Sequence, residues 1–177
     1  MRKIGVFIHV TLDGFFAGPN DEIDWFKVIK KDAGWEKHTH KESQSGSTTL
    51  LFGATTYKMM KGFWPTPAGI QSDPDMAKVM NECPKVVVSK TLKSVEDEPN
   101  WKNVRILHDL SHDTITKLKE ESSSGTITIL GSGSIVQQLA NMDLIDEYEL
   151  VIVPIILGNG NVPKWACVAP LSTSKIN

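Results

Sequence analysis

Residues 126–141 read Thr-Ile-Thr-Ile-Leu-Gly-Ser-Gly-Ser-Ile-Val-Gln-Gln-Leu-Ala-Asn, and their reading decides the fold. A β-branched run from Thr126 to Leu130 stops at Gly131-Ser132-Gly133-Ser134, and apolar residues then recur at helical spacing at Ile135, Val136, Leu139 and Ala140. A strand, a turn of small residues and a helix, in that order, set free backbone N–H groups and a positive helix end at the carboxyl edge of a sheet. That edge can hold a phosphate. Glycines also serve tight turns without any ligand, so one such turn decides little. Repetition of the design elsewhere carries the argument.

Working outward, apolar runs alternate with helix-like stretches. Residues 3–10 read as a first strand with few polar interruptions, as expected where both faces are covered. Beyond the turn-prone Asp13-Gly14 and Gly18-Pro19-Asn20-Asp21, the spacing of Ile23, Phe26 and Ile29 predicts a helix entering near Glu22. Strands follow at residues 47–52, 85–88, 103–108 and 148–156. Helices are expected at 56–61, from Asp73-Pro74 to Met80, and after the capping Ser111. The Trp64-Pro65-Thr66-Pro67 break and the stretch to Pro74 read as a flap over a cleft or an ordered surface loop. Interleaved strands and helices call for an α/β fold with a mostly parallel sheet covered on both sides. No internal repeat or linker divides residues 1–177, so a single domain is expected.

Bulk properties exclude several classes of function. The chain has 19 basic and 21 acidic residues, a formal charge of −2 and no Lys/Arg-rich block, which argues against a nucleic-acid partner. No apolar run approaches a membrane span and the first residues lack signal-peptide sections, so a cytoplasmic protein without membrane contact is expected. Cys83 and Cys167 stand alone and read as reduced thiols. His38-Thr39-His40 is flanked by lysines and completes no ligand set, so no metal is expected. His9 alternates with apolar neighbours as a core histidine would, and Asp143, Asp146 and Glu147 read as a solvated connection.

The glycine-and-hydroxyl design recurs twice. The second strand ends Gly53-Ala54-Thr55-Thr56, and the third ends Ser89-Lys90-Thr91. Parallel strands would bring these tips to one edge with Gly131–Ser134, a row of N–H groups, hydroxyls and one ammonium suited to an extended anion such as a dinucleotide. A Rossmann fingerprint should follow the first strand, where this chain has Thr11-Leu12-Asp13-Gly14 instead. A Walker loop is absent as well.

Taken in order, Val10-Thr11-Leu12-Asp13-Gly14-Phe15-Phe16-Ala17-Gly18-Pro19, Ile23-Asp24-Trp25, Leu51-Phe52-Gly53-Ala54-Thr55-Thr56-Tyr57 and Val87-Val88-Ser89-Lys90-Thr91 form a recognisable series. It continues through Ile129-Leu130-Gly131-Ser132-Gly133-Ser134, Leu144-Ile145-Asp146-Glu147-Tyr148 and Pro154-Ile155-Ile156-Leu157-Gly158-Asn159-Gly160. Over residues 2–160 the chain resembles the dihydrofolate-reductase-like family, in the branch of the C-terminal reductase domain of the bifunctional riboflavin-biosynthesis deaminase–reductase. The resemblance implies a mainly parallel sheet flanked by helices, NADPH as cofactor (NADH possible), hydride transfer to a small heterocycle such as a pterin or aminopyrimidine, and a homodimer.

By the same resemblance Gly53, Thr55 and Thr56 would meet cofactor phosphates, and Ser89 and Lys90 would lie near the adenosine 2′-phosphate. Gly131, Ser132, Gly133 and Ser134 would hold the pyrophosphate, while Asp13, Trp25 and the Leu157-Gly158 turn would border nicotinamide and substrate. Asp13 is the carboxylate expected to relay a proton or anchor substrate, against the commoner role of an aspartate in an Asp-Gly turn. Trp25 would wall the pocket, against a place in the core. Two departures stand out. Ala54 occupies a position where the family usually has arginine, and residues 161–177 are too short and proline-broken for the expected C-terminal hairpin. They leave open a non-catalytic protein that keeps the fold for nucleotide binding or self-association.

Overall fold

The computed structural model describes residues 1–28, 48–95, 97–121 and 125–163. Six strands form one sheet: β1 (Ile4–Thr11), β2 (Thr48–Gly53), β3 (Lys85–Val88), β4 (Val104–Leu107), β5 (Thr126–Leu130) and β6 (Glu147–Val153). Their spatial order is β4-β3-β2-β5-β1-β6, and every pairing is parallel. The mostly parallel α/β sheet read from the sequence is therefore present, with its six carboxyl ends along one rim.

Among the described residues five α-helices accompany the strands: α1 (Ala54–Phe63), α2 (Pro67–Ser72), α3 (Pro74–Glu82), α4 (His112–Glu120) and α5 (Gly133–Ala140). Local chemistry sets their starts. Thr66, Asp73 and Ser111 cap α2, α3 and α4 by accepting from Gly69 N, Met76 N and Thr114 N, and proline opens α2 and α3. The segment expected as a flap or loop is instead the helix α2, because Thr66-Pro67 supplies a cap and a preset first φ. Where a helix was expected near Glu22, the described part is a 3-10 turn at Asp24–Val28. Gly34, His38, His40 and residues 164–177 lie outside the described residues.

Burial separates the two faces of the sheet. Ile4, Val6, Ile8 and Val10 alternate inward from β1 and meet Ile115 and Leu118 of α4 and Ile135, Val136 and Leu139 of α5. On the opposite face Leu50, Phe52 and Val87 meet Tyr57 of α1, Met80 of α3 and Trp101. Fully burying such side chains stabilises by about 1.5–3 kcal/mol each, which holds both helical layers to the sheet. His9, on the other face of β1 from Ile8, packs edge-on against Phe7 and Phe26 with ring centroids 5.1 and 5.0 Å away.

Charged groups close the amino rim. Arg2 donates to Thr49 Oγ1 at 2.5 Å and to Thr126 O at 2.9 Å, tying β1, β2 and β5 together. Asp146 accepts from Ile4 N at 2.7 Å and from Lys119 Nζ at 2.8 Å, so this part of the expected solvated connection fastens β1 instead. Lys85 is fully buried; its ammonium donates to the carbonyls of Asn81, Cys83 and Lys102 at 3.0, 2.8 and 2.9 Å and lies 4.6 Å from the Trp101 ring centroid. Burial lowers that ammonium to about 8.

Candidate functional site

The carboxyl rim is built differently. Strands β2 and β5 are neighbours, yet the helices that follow them leave for opposite faces: α1 packs Tyr57 on one side and α5 packs Ile135 and Val136 on the other. Such a divergence opens a crevice beyond the strand ends, the usual ligand position in open parallel sheets. Gly53 stands at the tip of β2 and Gly131-Ser132-Gly133 at the tip of β5.

Backbone conformation explains the small residues there. Gly131 has φ +63° and Ser132 φ +33°, the left-handed region in which a side chain is strained. The Ser132 hydroxyl accepts from Gly53 N at 2.8 Å and donates to Thr56 Oγ1 at 3.0 Å, stitching the two strand tips across the crevice. Thr56 is buried while Thr55 is exposed. A Cβ at Gly133 would lie 3.2 Å from the Phe16 ring, so a side chain at this helix entry needs that ring to give by a few tenths of an ångström. The first N–H groups of α5 have no acceptor within the helix, which leaves a positive end facing the crevice.

Beside this turn lies a cleft of about 210 Å³ lined by Gly53 and Ala54, by Ser89 and Lys90 at the tip of β3, by His108 and Asp109 beyond β4, and by Ser134 and Gln138 of α5. Ser89 is buried, and its hydroxyl accepts from Leu92 N at 3.0 Å, shaping the loop after β3. Lys90 is exposed. The Asp109 carboxyl is held at about 2, first by the hydroxyl of Ser111, then by its backbone N–H and by Thr114. Sequence reading missed His108, Asp109 and Gln138. The signal was available, since a fourth parallel strand must bring its own tip to the same rim.

A second group of expected residues meets at the other end of the rim. Asp13 accepts from Leu157 N at 3.1 Å and from Gly158 N at 2.7 Å, and Thr11 Oγ1 donates to it at 2.6 Å. These bonds, the Thr11 hydroxyl first, hold its carboxyl below the usual range. Asp13 is thus a charged clasp between the end of β1 and the turn after β6. Asn161 extends the clasp: its N–H donates to Ala17 O at 2.8 Å, its O accepts from Phe16 N at 3.0 Å, and its amide donates to Gly18 O and Asp21 Oδ1, both at 2.9 Å. Trp25 is 7 % exposed and its ring lies on that of Phe26, 4.3 Å between centroids, so packing fixes its place. Neither Asp13, Trp25, Leu157 nor Gly158 lines the cleft that holds Ser89 and Lys90.

Among the described residues no cluster of three or more His, Cys, Asp or Glu could hold a metal, and no helix is long and apolar enough to cross a membrane. Cys83 is half-buried, and burial pushes its thiol up, away from reactivity at neutral pH.

A six-stranded parallel sheet between two helical layers, with a glycine–serine helix entry at its carboxyl rim, is the dihydrofolate-reductase-like fold of the riboflavin-pathway reductases. The chain belongs to the RibD C-terminal domain family, whose model matches residues 2–166. It is 27% identical over 159 residues to the uncharacterized protein YyaP of Bacillus subtilis (strain 168), covering 90% of this chain and 78% of that protein. The uncharacterized protein YwjB of the same organism is 26% identical over 159 residues, covering 90% of this chain and 80% of its own. Among solved structures, a protein assigned to riboflavin biosynthesis from Shewanella sp. PV-4 superposes with a TM-score of 0.65 at 23% identity, covering 92% of this chain and 82% of that one. The diaminohydroxyphosphoribosylaminopyrimidine deaminase/5-amino-6-(5-phosphoribosylamino)uracil reductase of Thermotoga maritima superposes with a TM-score of 0.63 at 14% identity, over 98% of this chain and 51% of that one. These likenesses give a reductase-type fold.

Proposed function

We propose that this protein is an NADPH-dependent reductase that transfers a hydride to a small heterocyclic compound, a pterin or an aminopyrimidine. The observation that carries this reading is the stitched pair of strand tips: Ser132, Gly53 and Thr56 fix a helix entry of small residues beside a polar cleft. A cofactor's phosphates fit that chemistry, because Gly131 and Gly133 leave backbone bare where a Cβ would be strained or would meet Phe16. Gly53, Thr55, Thr56 and Gly131–Ser134 would hold the phosphates, with Ser89 and Lys90 beside the adenosine.

The bound dinucleotide would supply the hydride. This chain's own part is to orient and enclose. Asp13, already accepting three hydrogen bonds and held as a carboxylate, is a positioning residue that sets the Leu157–Gly158 turn. Its depressed titration unfits it for delivering a proton at neutral pH. A proton then comes from solvent or from the substrate's own ring. Trp25 would brace that end through Phe26.

The test is direct. Native protein should show a raised melting midpoint with NADPH, and absorbance at 340 nm should fall when an aminopyrimidine or dihydrofolate is added. A midpoint unmoved by NADPH sinks the reading. A midpoint raised with no turnover of either substrate class favours the second reading, a non-catalytic nucleotide-binding protein. The engagement of Asp13 as a structural clasp is the observation in that reading's favour.

Self-association belongs to the same proposal. Leu150 and Ile152 of β6 and the following Ile156 are exposed at 42, 62 and 76 %. An apolar row on the last strand of the described sheet favours a homodimer, which light scattering on the eluting protein would show as twice the chain mass.

A further inference from the structure

Two places in the sequence set an aspartate or asparagine directly before glycine, Asp13-Gly14 and Asn159-Gly160. A following glycine matters because it has no side chain to shield its backbone nitrogen from the preceding side-chain carbonyl carbon. The fold treats the two pairs oppositely. Asp13 is held as a carboxylate, a poor electrophile, by Thr11 Oγ1, Leu157 N and Gly158 N, and Gly14 N donates to Thr11 O at 2.9 Å. Asn159 is exposed, and among the described residues neither its amide nor the N–H of Gly160 makes a hydrogen bond. Asn20, Asn81, Asn100, Asn103, Asn141 and Asn161 each precede a residue with a side chain. The amides of Asn81, Asn103 and Asn161 also donate, to Trp64 O, Glu82 O and Gly18 O. Packing keeps the vulnerable pair in place. A Cβ at Gly160 would collide with the Ala17 carbonyl oxygen, so the glycine that leaves Asn159 open to attack is one the braid requires.

We propose that Asn159 is a site of spontaneous deamidation, which gives the clasp around it a limited lifetime. The backbone nitrogen of Gly160 attacks Cγ of Asn159. The new N–Cγ bond closes a succinimide ring, the Cγ–Nδ2 bond breaks, and ammonia leaves with the proton that the Gly160 nitrogen gave up. Water then opens the ring. Attack at Cγ restores the original main chain with an aspartate at position 159. Attack at the backbone carbonyl carbon of residue 159 frees that carbon as a carboxylate and routes the main chain through Cγ, an isoaspartyl linkage. Neither step calls for an oxidant or a reductant.

The position makes the change consequential. Residue 159 lies between two fastenings, Gly158 N on Asp13 Oδ2 at 2.7 Å and Asn161 N on Ala17 O at 2.8 Å. An isoaspartyl linkage inserts an extra main-chain atom between them, so the two bonds cannot both keep their geometry. Either product also adds a carboxylate next to the turn that serves Asp13, and like charges repel. None of this depends on a bound dinucleotide.

Peptide mass mapping of the full chain, kept folded in mildly alkaline buffer over successive days, tests the proposal. Fragmentation should place the amide-to-acid mass gain at residue 159, at a rate about tenfold or more above that of any other asparagine. That rate should lie within about tenfold of the rate in urea, because the fold gives the pair no shield. A methyltransferase specific for isoaspartate should label the product, and Asn159→Gln should remove the label. Material enriched in isoaspartate should melt a few degrees below fresh wild type, while Asn159→Gln aged in parallel keeps its midpoint. Conversion at residue 159 no faster than at the other asparagines overturns the site. So does a folded rate more than about tenfold below that in urea. Isoaspartyl material with an unchanged midpoint overturns the loosening of the clasp.

Discussion

The two rims of the sheet carry polar groups to opposite ends. At the amino rim, Arg2, Lys85 and Asp146 are each matched to acceptors or donors of the fold itself. Lys85 shows this most fully, with its three protons directed at three carbonyls. At the carboxyl rim the turn at Gly131-Ser132-Gly133 is built of small residues, the backbone visits the left-handed region at Gly131 and Ser132, and the side chains of Lys90 and His108 stand exposed. Polar groups matched inside the chain fix its fold. Charge left at the rim of a cleft is available to a ligand. The contrast marks the carboxyl rim as the candidate site.

The sharpest way to break the contrast is Lys85→Ala. It removes the buried ammonium that donates to the carbonyls of Asn81, Cys83 and Lys102 and should lower unfolding free energy by about 3 kcal/mol in urea titration. The NADPH affinity of the remaining folded protein should hold within about twofold. An affinity that collapsed with stability would erase the distinction between the rims.

Asp13→Asn works from the other side. The clasp loses its charge, and the turn at Leu157–Gly158 loses its register. Turnover measured at 340 nm should fall by about tenfold to a hundredfold, with a smaller change in NADPH affinity. Ser132→Ala is expected to act on both properties. Gly53 N loses its acceptor and Thr56 the hydroxyl that donates to it, at a cost of about 1–2 kcal/mol in stability, and a weakened NADPH-induced rise in midpoint would accompany it.

The smallest effect concerns pH. Burial holds the native Lys85 ammonium at about 8, below its ordinary 10.5. Between those values the native state has released a proton that the unfolded chain still binds. Stability therefore rises with pH across that window, by roughly 1 kcal/mol per pH unit at most. Chemical denaturation at about pH 8 and about pH 9.5 should show this rise in wild type relative to Lys85→Met, where it disappears.

Much of the fold was legible because its signals are local. The β-branched run at 126–130 and the valines at 86–88 gave β5 and β3 at their observed limits. Helix α2 was missed because proline and glycine between Trp64 and Pro74 outweighed the cap at Thr66, whose hydroxyl accepts from Gly69 N at 3.2 Å. Long-range facts were out of reach. Lysine ordinarily reads as solvated, so nothing in Pro84-Lys85-Val86 announces an ammonium buried among carbonyls brought from residues 81, 83 and 102. The glycine–serine entry was readable as a strand-to-helix turn. That Ser132 bonds Gly53 and Thr56, 79 and 76 residues away, depended on the order in which the strands assemble. His108 and Asp109 escaped although the strand they follow was legible and, being parallel, had to bring its tip to the same rim.

The braid around Asn161 has a consequence for anyone wishing to alter what this protein accepts. Phe16, Ala17 and Gly18 on one side and Asn161 on the other are joined by three hydrogen bonds, and a Cβ at Gly160 would sit 2.3 Å from Ala17 O. The two loops are mechanically one part. Grafting a new acceptor-side loop from another chain will succeed only when residues 12–22 and 155–161 are transplanted as a matched set.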